Sequence, residues 1–124
     1  MEMQELYSDL ILELYRNPLN KGKLVKADAF YRDVNPVCGD KIEIFLNVDQ
    51  GVIQEARFEG EGCAISQASA SLLTEMIKQK KIPEILSFNI DHLLQELHLP
   101  HLRENPLRIK CAALSLKVLK MALF

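Results

Sequence analysis

The sequence predicts an α+β fold: a three-stranded antiparallel sheet with helices packed on one face. Three observations carry this. First, Ile42, Ile44, Leu46 and Val48 alternate with Lys41, Glu43, Phe45 and Asn47, which makes a strand with one buried face. Second, Asp49-Gln50-Gly51 forms a short hairpin loop with a glycine available for positive φ, and a return strand runs from Val52 to about Glu59. Third, the flanking segments show helical periodicity instead of alternation. Three strands in meander order need cover on one face, and the helices must supply it.

The elements follow in order. Over 3–16, Met3, Leu6, Tyr7, Leu10, Ile11 and Leu14 fall on one side of a helix. Asn17-Pro18 stops it, because a residue before proline is pushed out of the α region. The stretch 17–22 is rich in turn formers. A first strand is expected over 25–34. Ala56 and Phe58 of the return strand share a face. The segment 64–79 is a helix with Ile65, Ala68, Leu72, Leu73 and Met76 on one side, and Ala68 to Ser71 are small enough to admit a close neighbour. Residues 83–99 hold one or two short helices, with Pro83 at a start and Asn89 or Asp91 as caps. Pro100 and Pro106 bracket a loop. A last helix spans about Ile109 to Leu123, with Lys110, Lys117 and Lys120 on its wet side.

The 124 residues (14.1 kDa) suit a single domain over 1–124. Hydrophobic residues at 48% and charged residues at 26% are ordinary globular values, which excludes a disordered chain. A net charge of −2 provides no basic field for nucleic acid. No apolar run is long enough for a membrane, and the start Met1-Glu2-Met3-Gln4-Glu5 lacks the basic region of a secretory signal. Three cysteines cannot all pair, so a reduced, cytoplasmic protein is expected.

The chemistry resides in those cysteines. Their spacing alone is a weak signal, and an isolated free cysteine is commonly a small buried hydrophobe. Their surroundings say more. Cys38 lies in the loop Asn35-Pro36-Val37-Cys38-Gly39-Asp40, where Gly39 permits a turn that aims the thiol outward. Cys63 follows Gly60-Glu61-Gly62 and precedes a helix, whose N-terminus favours thiolate. Cys111 stands near the start of the last helix beside Lys110, a cation placed to stabilise a thiolate. Asp40 is either the fourth member of the group or a turn residue bonding its own backbone. Three thiolates and a carboxylate would make a tetrahedral set suited to zinc or an iron–sulfur cluster. His92, His98 and His101 read as solvated side chains. No dinucleotide, P-loop, hydrolase or zincin motif is present.

The chain resembles the NifU N-terminal/IscU/SufU family of iron–sulfur cluster assembly scaffolds over essentially its whole length. The resemblance rests on 14–22 (Leu-Tyr-Arg-Asn-Pro-Leu-Asn-Lys-Gly), Asn35-Pro36-Val37-Cys38-Gly39-Asp40, 58–66 (Phe-Glu-Gly-Glu-Gly-Cys-Ala-Ile-Ser), Ala68-Ser69-Ala70-Ser71 and Arg108-Ile109-Lys110-Cys111-Ala112. It implies a metal site at one end of the fold, made of Cys38, Asp40, Cys63 and Cys111. It also implies a 2Fe–2S cluster or iron as the bound species, with zinc as the alternative or as-isolated metal. The implied partners are a cysteine desulfurase, apo iron–sulfur acceptor proteins and an iron donor. The resemblance gives Cys38 as the sulfur acceptor, with Cys111 as the alternative. Lys110 stands where the IscU branch carries histidine. The sequences around Cys63 and Cys111 are similar to the SufU branch, whose members act as zinc-bound sulfurtransferases.

Overall fold

A computed structural model describes residues 8–124. The expected helix positions Met3, Leu6 and Tyr7 lie outside them. Helix α1 (Asp9–Arg16) starts where the Ser8 side chain accepts from the Ile11 N–H (3.2 Å), and it ends at Asn17 before the proline. It buries Ile11 and Leu14, as its periodicity predicts.

Strands β1 (Ala29–Asn35), β2 (Asp40–Asp49) and β3 (Val52–Glu61) form the meander, in the order β1-β2-β3 with both pairings antiparallel. Tyr31, Ile44 and Phe58 lie side by side across it. Ile42, Ile44 and Leu46 are fully buried on the inner face with Ala56 and Phe58. The outer face carries the aligned charged row Arg32, Glu43 and Glu59. Phe45 also points outward but is buried against the Phe30 ring, 5.0 Å away. The pairing Asp49↔Val52 closes a two-residue loop in which both Gln50 (φ 51) and Gly51 (φ 76) are left-handed, the hairpin turn that matches strand twist.

β1 begins later than the 25–34 span and extends one residue further, to Asn35. The Asp28 carboxylate takes the Val48 N–H (2.8 Å) and so ends the ladder there, which leaves Val25 fully exposed. The loop after α1 pairs along the outer edge of β3. Asn20 O accepts from Phe58 N–H (3.0 Å), and Gly22 N–H donates to Phe58 O (2.8 Å). A sheet edge that would otherwise be open is thereby covered.

Helix α2 (Ala64–Met76) packs on β3 and α5 (Pro106–Ala122) on β1 and β2, with α1 against α2. α2 is buried nearly all round, small residues included. Its buried hydroxyls are satisfied locally: Ser69 donates to Ile65 O (2.7 Å), and Ser71 Oγ accepts from Leu19 N–H (2.7 Å). α2 stops short of residue 79. Gln79 turns left-handed (φ 65), and Gln79 N–H and Lys80 O bond Ile53 of β3 instead. Two short helices follow, α3 (Ile82–Leu86) and α4 (Ile90–Glu96), and the Asn89 side chain caps the second through His92 N–H (2.9 Å). The Pro100–Pro106 loop is largely a 3₁₀ helix, Pro100–Glu104. α5 starts at Pro106 and not near Ile109, because Asn105 caps it and proline is well suited to a first helical position. Among the described residues no helix is long and apolar enough to cross a membrane.

Candidate metal centre

One end of the β1–β2 hairpin builds the first part of the site. Asn35 clamps the turn at both of its backbone and side-chain acceptors. Its carbonyl accepts Gly39 N–H (2.8 Å), and its Oδ1 accepts Val37 N–H (3.2 Å). Gly39 sits at φ 73, where a side chain would be strained. This clamp holds Cys38 half-buried while Val37 stays 69% exposed beside it. Sequence reasoning quoted Asn35 only as part of the motif. An asparagine directly before proline and two residues before an expected turn is the signal that marks such a clamp.

Asp40 opens β2 opposite Asn35 and is completely buried. It does not bond its own turn. Its Oδ1 accepts the Cys63 N–H (2.9 Å), which joins the start of β2 to the start of α2. The contact exists because Lys41 pairs with Glu61, so the chain must turn directly over Asp40. Gly62 makes that turn at φ 139, and a Cβ there would collide with the Asp40 carboxylate. Cys63 is the N-cap of α2, its Sγ accepting Ser66 N–H (3.5 Å).

Cys111 comes from the other side. The early start of α5 puts it deeper in that helix than its sequence position suggests, and it is fully buried. Its Sγ lies 3.4 Å from Cys38 Sγ. Ligand atoms of Cys38, Asp40 and Cys111 all fall within 4.8 Å of one another. Cys63 Sγ adjoins the same cluster, 3.9 Å from Asp40 Oδ2. A tetrahedral ion with metal–sulfur bonds near 2.3 Å needs ligands about 3.8 Å apart. The 3.4 Å separation of the Cys38 and Cys111 sulfurs is near that spacing, so Cys38, Asp40 and Cys111 form a three-donor group that could hold zinc or a cluster iron, with Cys63 against Asp40 and outside the mutually close group.

The thiols are electrostatically unequal. Cys63 is drawn down to about 6, first by the hydrogen bond from the Cys111 thiol, then by the N–H groups of Ser66 and Ile65 at the helix start. Burial and the Asp40 charge oppose this. Cys111 is pushed far up, because its thiol keeps its proton while donating a hydrogen bond to Cys63 and is buried, with further bonds to Cys38 and Asp40 in the same sense.

Lys110, next to Cys111 in sequence, is exposed and lines a cleft with Val34, Pro36 and Lys117 that none of the cysteines lines. His92, His98 and His101 are exposed, and among the described residues no histidine joins the ligand group.

A three-stranded meander under helices, with three thiols and a buried carboxylate at one end, is the architecture of a metal-handling α+β module. The chain belongs to the NifU-like N terminal domain family, which it matches over residues 6–124. Among its relatives, it is 38% identical to the zinc-dependent sulfurtransferase SufU of Bacillus subtilis over 95% of this chain and 89% of that protein. It is 36% identical to the iron–sulfur cluster assembly scaffold protein IscU of Thermotoga maritima over 99% of this chain and 96% of that one. The crystal structure of a putative iron–sulfur cluster assembly scaffold for the SUF system from Fervidobacterium islandicum superposes with a TM-score of 0.86, at 28% identity, over 99% of this chain and 100% of that one.

Proposed function

We propose that this chain accepts sulfur from a cysteine desulfurase and holds a nascent 2Fe–2S cluster, its cargo, for delivery to apo iron–sulfur proteins. Cys38, Asp40, Cys63 and Cys111 are the ligands. The observation that carries this reading is the approach of Cys38, Asp40 and Cys111 within 4.8 Å of one another, with Cys63 against Asp40, from three separated chain segments. Thiolates hold iron strongly, whereas a carboxylate is a harder and weaker partner, so Asp40 is the corner from which cargo leaves. Cys38 is the first sulfur acceptor. It is half-exposed on a turn, while Cys111 is fully buried and Cys63 is fixed as a helix cap. Lys110, one residue from Cys111, adds positive charge beside the thiolates without touching them.

A second reading has support in the 38% identity to a zinc-dependent sulfurtransferase and in the close group of Cys38, Asp40 and Cys111, donors that suit zinc. In that reading the same four residues hold zinc, and the chain relays persulfide sulfur without assembling a cluster. Anaerobic reconstitution with ferrous iron, cysteine, the desulfurase and a thiol reductant, which brings persulfide sulfur to sulfide, separates the two. Iron and acid-labile sulfide in equal amounts on the chain support the scaffold. Retained zinc, no bound sulfide and a strongly accelerated desulfurase support the transferase.

A further inference from the structure

The end of β1 holds a buried donor that the fold itself does not use. Asn35 is 8% exposed, and its Oδ1 accepts the Val37 N–H (3.2 Å). That bond fixes how the amide lies, since the reversed amide would set N–H against N–H. The Nδ2 group is therefore turned away from the Cys38 turn. It is sealed from solvent and has no hydrogen-bond partner among the described residues. A buried N–H without an acceptor keeps its full desolvation penalty, so a state that supplies an acceptor is favoured.

The residue facing it is the carboxylate of the candidate site. Asn35 pairs with Asp40 across the β1–β2 ladder, at the end of the row in which Tyr31 faces Ile44 and Asp33 faces Ile42. Directly paired residues project their side chains from the same face, with Cβ atoms about 4.5–5.5 Å apart. Here that face is the inner one, where Asp40, Ile42 and Ile44 are all fully buried. Asp40 Oδ1 is taken by the Cys63 N–H (2.9 Å), whereas Oδ2 meets sulfur, with Cys63 Sγ at 3.9 Å. Cysteines hold a metal as thiolates, which have no proton to donate. A loaded centre thus sets anionic sulfur around a buried carboxylate, and the idle amide N–H stands opposite that carboxylate.

We propose that Asn35 is a positioning residue of this centre: its Nδ2–H donates to Asp40 Oδ2 in the metal-bound chain and steadies that oxygen as a ligand. The inference rests on the reading of Asp40 as a ligand. The Asn35 side chain then has two separable tasks. Its Oδ1 shapes the turn that carries Cys38, and its Nδ2 sets how firmly Asp40 holds the metal. Ligating carboxylates are themselves hydrogen-bonded, and loss of such an outer partner weakens retention about 10–100-fold.

The test measures zinc release from the zinc-loaded full chain to a chromogenic chelator, and the visible spectrum of the cobalt(II)-loaded chain. The variants are Asn35→Ser and Asn35→Asp, each alone and combined with Asp40→Asn. Serine and aspartate both keep an oxygen for the Val37 N–H and remove the donor. Asp40→Asn keeps Oδ1 for the Cys63 N–H and puts an amide nitrogen, which cannot accept, in place of Oδ2. Circular dichroism verifies folding, and either Asn35 variant carries the test if the other fails to fold. The expected result is zinc release about tenfold faster in Asn35→Ser and Asn35→Asp, with no further acceleration when either is added to Asp40→Asn. The cobalt ligand-field bands should shift in the Asn35 variants while the sulfur-to-cobalt charge-transfer bands persist, because the thiolates stay bound. Wild-type release from the Asn35 variants, or an equal acceleration in the Asp40→Asn background, means that Asn35 only shapes the turn; it overturns the proposal and leaves Asp40 standing as a ligand. Zinc release and a cobalt spectrum that are both indifferent to Asp40→Asn overturn the ligand reading and the proposal with it.

Discussion

At the residue scale the three thiols and the carboxylate of the candidate site are chemically distinct, and their differences are measurable. The Cys63 thiol is drawn down by the Cys111 thiol and the helix-start N–H groups, and the Cys111 thiol is pushed up by the same hydrogen bond and by burial. Because the Cys63 thiol titrates near 6, alkylation with iodoacetamide at pH 7 should label Cys63 ahead of Cys111, with a rate that falls as the pH drops through about 6. Equal labelling of the two would contradict the shared proton. Asp40 has two tasks that substitution can separate. It accepts the Cys63 N–H, and it offers a weak ligand oxygen. Asp40→Ala strands that N–H and should cost about 1–3 kcal/mol in denaturant unfolding. Asp40→Asn keeps a carbonyl acceptor there and should unfold close to wild type, yet transfer cargo to an apo-acceptor at a different rate. A shift in unfolding without a shift in transfer would make Asp40 purely structural.

At the element scale, the site exists because two turns and a helix start come together. Gly62 is the most sensitive position in that junction. Alanine there would face both a positive φ of 139 and the Asp40 carboxylate. Gly62→Ala should therefore destabilise the fold by about 1–3 kcal/mol and weaken metal retention together, as read by unfolding and metal analysis of one preparation. Full metal retention in a destabilised variant would uncouple the turn from the site. The sequence was most informative where one local rule decides the outcome. The alternation through Ile42 to Val48, the Gln50-Gly51 hairpin and the Cys63 helix start all follow from periodicity and turn chemistry. Boundaries set by distant partners were not legible. The early end of α2 depends on Ile53 capturing Gln79 and Lys80, and the late start of β1 depends on Asp28 reaching Val48. For the site, loop context and family motifs singled out the same thiols and carboxylate that the structure places at one end of the fold. The burial of Cys111 and the bond from Cys63 N–H to Asp40 required the packing of α5 and the β2–β3 register.

At the scale of the whole molecule, the candidate ligands come from the β1–β2 turn, the start of α2 and the middle of α5. An ion bound by them would couple segments far apart in sequence, and its binding free energy would add to folding stability. Removing metal with a strong chelator should lower the melting temperature and raise amide exchange around Cys38 and Cys111, while the β2–β3 ladder stays protected. Unchanged melting after verified metal removal would count against a shared centre. The inner sheet face packs against apolar side chains of α2 and α5 in one continuous core cluster. The most direct measurement is a map of where sulfur first arrives. The protein is incubated briefly with the desulfurase and cysteine, its free thiols are blocked, and persulfides are located by mass spectrometry without reduction. The account predicts persulfide on Cys38 first, and its loss in Cys38→Ser; persulfide on Cys111 in Cys38→Ser at the wild-type rate would contradict it.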